Sequence, residues 1–80
     1  MQDLKILYLQ SDLIWESPAA NRAKFSNLIN NNVDKHDLVV LPETFTTGFP
    51  VDPASFAETL DGVTTNWMLQ TAQTTGAIIT

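Results

Sequence analysis

Glu43 is the residue through which this sequence could do chemistry. It follows Pro42 at the end of an unbroken apolar run, Leu38-Val39-Val40-Leu41, and precedes a Thr/Phe-rich loop that ends in Gly48-Phe49. Such a run suits a strand buried on both faces, where neither side tolerates a polar group. Pro42 has no N–H to give to a sheet ladder and closes the strand. A Pro-Glu pair alone is an ordinary solvated loop carboxylate. What singles out Glu43 is its place just beyond a buried strand's C-terminal end, where open α/β sheets collect their ligands. Partial burial beside Phe45 and Phe49 would favour its neutral form and tune it for general-base work. A base needs a group to activate, and the neighbours do not supply one. Thr44, Thr46 and Thr47 lie too close in sequence and have no orienting histidine. The three glycines are scattered, so there is no phosphate-binding loop. No metal-ligand constellation is present, which leaves Glu43 a poor metal ligand. The single histidine, His36, reads as a solvated residue of the polar turn Asp34 to Asp37.

The elements that must position Glu43 are set by the rest of the pattern. Lys5 to Leu9 reads as a first strand, central in a sheet, with Gln10 at its C-terminal end as either a loop residue or a hydrogen-bonding support for the site. Leu13-Ile14-Trp15 reads as an apolar patch packed on the domain. Ser17-Pro18 starts a helix, with Ser as N-cap and Pro at the first helical position. That helix is predicted to run to about Asn32, where an asparagine in the left-handed conformation would stop it. Phe25, Leu28, Ile29 and Val33 share one face, and Asn21 falls on it. Asn21 is either a half-exposed surface amide or a structural one that ties the helix to a neighbouring loop. Residues 51–59 read as loop with a short helical turn near Ala54 to Glu58. A second helix is predicted over Val63 to Thr75, weakened by five threonines, with Trp67 and Met68 toward the core and Gly76 as its C′ residue. Ala77 to Thr80 begins a third strand. The fold class is therefore α/β, in the order β-α-β-α-β, with right-handed crossovers and a parallel sheet. Three strands and two helices make a thin unit, so the expectation is one incomplete domain over residues 1–80.

Composition narrows the function classes. The chain has 80 residues, a net charge of −5, four basic residues and no cysteine. Without a basic cluster it is not expected to bind nucleic acid or an anionic membrane. Without cysteine it has neither a disulfide framework nor a thiol nucleophile of its own. The first residues do not form a signal peptide, and no stretch approaches the length of a membrane span. The expected location is cytoplasmic.

LVVLPETFTTGF resembles the segment around the catalytic glutamate of the nitrilase, or carbon–nitrogen hydrolase, superfamily. Gln10 at the end of the first strand, Asn21 in the first helix and Thr-Gly-Ala-Ile-Ile after the second are similar to that superfamily in the same order. The likeness covers nearly the whole chain. The wording Pro-Glu-x-Phe-Thr-Thr-Gly-Phe is most similar to the omega-amidase branch, which acts on ω-amides of α-keto acids. The resemblance implies a four-layer α-β-β-α sandwich, of which this chain would be the N-terminal part. It also implies a Glu-Lys-Cys triad that hydrolyses a small carboxamide without a cofactor. Only Glu43 carries over. Lys5, Lys24 and Lys35 do not match the catalytic lysine, and the lysine and cysteine would both be expected beyond Thr80. Phe45, Thr46, Thr47 and Phe49 are expected either to line the substrate pocket or to pack within their loop. The superfamily further implies a homodimer or larger homo-oligomer. The rival expectation is a truncated, non-catalytic α/β binding or interaction module.

Overall fold

The structure is a computed structural model that describes residues 3–32 and 35–80. In chain order the elements are strand β1 (Ile6–Tyr8), helix α1 (Pro18–Asn30), strand β2 (Leu38–Val40), a 3-10 turn (Pro53–Ser55), helix α2 (Val63–Thr75) and strand β3 (Ile78–Ile79). The three strands form one sheet, ordered β1-β2-β3, and both pairings are parallel. Ile6 lies beside Leu38, and Leu38 beside Ile78. The ladder runs one step past β2, because the Leu41 amide donates to the Thr80 carbonyl (2.7 Å).

A chain that steps across a sheet in one direction, through crossovers of one hand, puts its helices on one face. The core obeys that rule. Leu9, Val39, Leu41 and Ala77 are buried against Phe25 and Ile29 of α1, with Leu7, Ile79, Trp67 and Met68 packed at the margin. The opposite face, with Ile6, Tyr8 and Ile78, is exposed. The apolar run of β2 is therefore covered on one side only within this chain: Val39 and Leu41 are buried, while Leu38 and Val40 are half-buried. β1, expected to be central, is an edge strand here, because β2 takes the middle position and pairs with both of the others.

The helix ends show which local signals held. Pro18 opens α1 at its first position, but the Ser17 hydroxyl donates back to the Trp15 carbonyl (3.2 Å) instead of capping the helix. The helix ends at Asn30, short of Asn32, and its C-cap Asn31 is right-handed, with φ −79°. Val33, expected on the apolar face, and Asp34 lie outside the described residues. The short turn expected near Ala54 to Glu58 forms one residue earlier, at Pro53–Ser55, where Pro53 presets φ and the Ser55 hydroxyl donates to Asp52 Oδ2 (2.7 Å). α2 spans its predicted range and ends on Gly76 at φ +73°, whose amide donates to the Ala72 carbonyl. Only glycine takes that left-handed position without a Cβ penalty. Two of the helix's threonines turn their hydroxyls inward, Thr71 to the Trp67 carbonyl and Thr75 to the Thr71 carbonyl (both 2.7 Å). That back-bonding satisfies the two hydroxyls within the helix, at a small cost to its stability.

Candidate functional site

β1 and β2 are parallel, so Gln10 and Glu43 leave the sheet at the same end. Both side chains are exposed. The expected partial burial of Glu43 is not met, because the two aromatics meant to flank it go elsewhere. Phe45 turns into the core, edge-on to Phe25 (ring centroids 5.7 Å apart) and against Trp67 (5.6 Å). Phe49 is 77% exposed.

Immediately after Glu43 the chain makes a tight turn. Thr44 has φ +50°, and its hydroxyl donates to the Glu43 carbonyl (2.7 Å). The Thr44 carbonyl accepts the amides of Thr47 (3.1 Å) and Gly48 (2.8 Å). Gly48 completes the turn at φ +70°. Thr47 is buried, and its hydroxyl donates to the Gly48 carbonyl (2.7 Å). A non-glycine residue at positive φ costs about 1 kcal/mol or more and persists only where its surroundings hold it.

The surroundings here are the segment between β1 and α1. The fully buried Asn21 accepts the Ile14 amide at Oδ1 (2.8 Å). Its Nδ2 donates to the carbonyls of Ile14 (2.7 Å) and Thr46 (2.5 Å). Asn21 is thus the structural amide of the two readings, with both amide protons and the oxygen engaged. The Glu16 amide donates to the Thr47 carbonyl (2.8 Å), and the Val51 amide donates to Glu16 Oε2 (3.2 Å). Trp15 Nε1 donates to the Phe49 carbonyl (3.0 Å). Leu13 joins the core margin, whereas Ile14 and Trp15, expected to pack on the domain, are largely exposed, and Trp15 works through its N–H.

Sequence reasoning passed over Glu16. It sits at φ +51° and bonds to the Glu43 loop through both its backbone and its side chain. Nothing local marks it, because its partners, Thr47 and Val51, are far along the chain. Of the four expected pocket residues, Phe45 and Thr47 are used inside the core and loop, Thr46 is held through its carbonyl, and Phe49 reaches solvent. His36 is half-buried in its turn. A groove of about 190 Å³ lies between α1 and α2, lined by Ser26, Ile29, Trp67 and Thr71 among others, and Glu43 is not part of it. Among the described residues, no three His, Asp or Glu side chains gather as a metal site would require.

Comparison with known proteins gives this arrangement a context. The carbon-nitrogen hydrolase family model matches residues 7–80. The chain is 38% identical to the omega-amidase YafV of Escherichia coli K12 over 79 residues, which is 99% of this chain and 30% of that protein. It is 40% identical to the Yersinia enterocolitica omega-amidase YafV over 57 residues, 71% of this chain and 22% of the relative. A solved CN-hydrolase superfamily protein from Xanthomonas campestris, described as carrying an arsenic adduct in its active site, superposes with a TM-score of 0.90 at 40% identity. That match covers 99% of this chain and 30% of the solved one. The chain therefore spans under a third of the length of these relatives.

Proposed function

The chain belongs to the carbon-nitrogen hydrolase family, and we propose from that membership that these residues are the glutamate-bearing part of an amidase that hydrolyses a small carboxamide. The observation that carries the reading is Glu43, which leaves the central strand of a parallel sheet on a turn that the preceding segment holds in place. The 38% identity to an omega-amidase supports an ω-amide of an α-keto acid as the narrower substrate class.

In this reading Glu43 is the general base of a Glu-Lys-Cys triad whose lysine and cysteine lie outside these 80 residues. Glu43 takes the thiol proton, and the thiolate attacks the amide carbon. The lysine stabilises the charge on the tetrahedral oxygen. Ammonia leaves with the proton returned by Glu43, and a thioester remains. Glu43 then takes a proton from water, the hydroxide attacks the thioester, and the acid leaves as Glu43 returns that proton to the expelled thiolate. No cofactor enters the balance. Phe45, Thr46, Thr47 and Phe49 form the near wall of the substrate pocket in this proposal. The open sheet face packs on a second sheet to complete a four-layer sandwich, and the enzyme is a cytoplasmic homodimer or larger homo-oligomer.

A non-catalytic binding module is the second reading. The exposure of Glu43 favours it. One experiment separates the two. Ammonia release from α-ketoglutaramate is measured for the full-length protein and for its Glu43→Gln variant, with thermal melts in parallel. The expected result is turnover lower by about 10³-fold at an unchanged melting temperature. Wild-type turnover in the variant would remove Glu43 from the mechanism. A wild type that binds carboxamides without releasing ammonia would establish the binding module.

A further inference from the structure

We infer that Asn21 is the positioning residue that sets the direction in which Glu43 leaves the sheet. The inference rests on Glu43 acting as the base, and it adds the group that orients that base. Glu43 lies between two fixed backbone points. Two residues before it, Leu41 is buried, and its amide is bonded to the Thr80 carbonyl. Three residues after it, the Thr46 carbonyl accepts Asn21 Nδ2. Between them Thr44 stands at positive φ, a conformation that relaxes once the far end of the turn is released.

The chemistry of the carboxamide explains why this position holds asparagine. Its remaining bonds go to both the N–H and the C=O of Ile14, so the one side chain satisfies three backbone groups on two loops. Those loops are far apart in sequence and come from different connections of the sheet. A leucine of similar shape leaves all three groups unpaired. An aspartate keeps the acceptor for the Ile14 amide but loses the donors to Ile14 and Thr46. Trp15 and Glu16 hold the same turn further along, at Phe49, Thr47 and Val51. Asn21 is the contact nearest to Glu43 in the chain and the one that is fully buried.

The test uses the full-length enzyme with Asn21→Asp, Asn21→Leu and Ile29→Ala. Ile29 is buried on the same helix face, so its truncation loosens α1 without touching the turn. Each variant is assayed well below its melting temperature, and kcat is corrected for the folded fraction. The expected outcome for both Asn21 variants is a kcat about 10- to 100-fold lower at little changed KM, while Ile29→Ala keeps wild-type kcat per folded molecule. Wild-type kcat in a folded Asn21 variant overturns the inference, as does an equal loss in Ile29→Ala. If neither Asn21 variant folds, Trp15→Phe takes their place, since it removes one donor to the same loop from an exposed side chain. A lowered kcat then supports a held turn, and an unchanged one overturns it. Glu43→Gln is run alongside: if that variant turns over normally, the base assignment fails, whatever the Asn21 variants do.

Discussion

Phe45 illustrates how one side chain can serve structure next to a reacting group. Two residues after Glu43, its ring joins Phe25 of α1 to Trp67 of α2. The three aromatics link both helices to the loop that carries Glu43. Removing the ring leaves a cavity and forfeits two aromatic contacts, so Phe45→Ala is expected to lower stability by about 3 kcal/mol. The urea midpoint of the full-length protein checks this. Phe45→Leu keeps most of the apolar volume and is expected to recover most of the loss. If KM for the amide rises in Phe45→Leu while the midpoint holds, the ring also touches substrate. The dual use was not legible locally, since a Phe in a polar loop points to a pocket and to a core equally well.

At the scale of elements, the start of α2 is held from outside the helix. Its N-cap is Gly62, which has no side chain to offer. Glu58 takes over: its carboxylate accepts the Thr64 hydroxyl (2.5 Å) and the Thr64 amide (2.8 Å), and Arg22 of α1 donates to the same hydroxyl (3.1 Å). The hydrogen bond from the Thr64 hydroxyl, then that from its amide, hold the Glu58 carboxyl below its usual range, with a smaller attraction from Arg22. A carboxyl depressed on folding stabilises the folded state above its unfolded pKa. That contribution is lost as the pH falls through the folded value. Because Glu58 is exposed, solvent screens much of this. Glu58→Gln is expected to cost about 0.5–1 kcal/mol at neutral pH, the usual scale of a helix cap. The gap to wild type should close in acid. Denaturation midpoints measured from neutral pH downward test this, and a gap that persists in acid would assign the cost to lost packing instead.

At the scale of the molecule, the two faces of the sheet are unequal. One carries both helices and the whole buried core, while on the other Tyr8 is 64% and Ile78 70% exposed. Parallel sheets are ordinarily covered on both sides. An apolar face of this kind associates in water. The 80 residues expressed alone are expected to self-associate with rising concentration in sedimentation velocity, and Tyr8→Lys or Ile78→Lys to shift them toward monomer. A wild-type chain that stays monomeric throughout would show that this face needs no cover.

The order of elements along the chain, both helices and the Gly76 stop were readable from the residues, because they rest on local rules. Apolar runs define strands, periodic faces define helices, and Pro and Gly mark the breaks. Family membership was readable for the same reason, since the Pro-Glu segment is contiguous. Tertiary structure alone decided which of two readings Asn21 takes, that Glu16 and Trp15 hold the Glu43 turn, and that Phe45 faces the core. Each depends on partners distant in the chain, or on which sheet face the helices cover. Local patterns state that a buried amide needs partners, but only the folded chain brings the Thr46 carbonyl to Asn21.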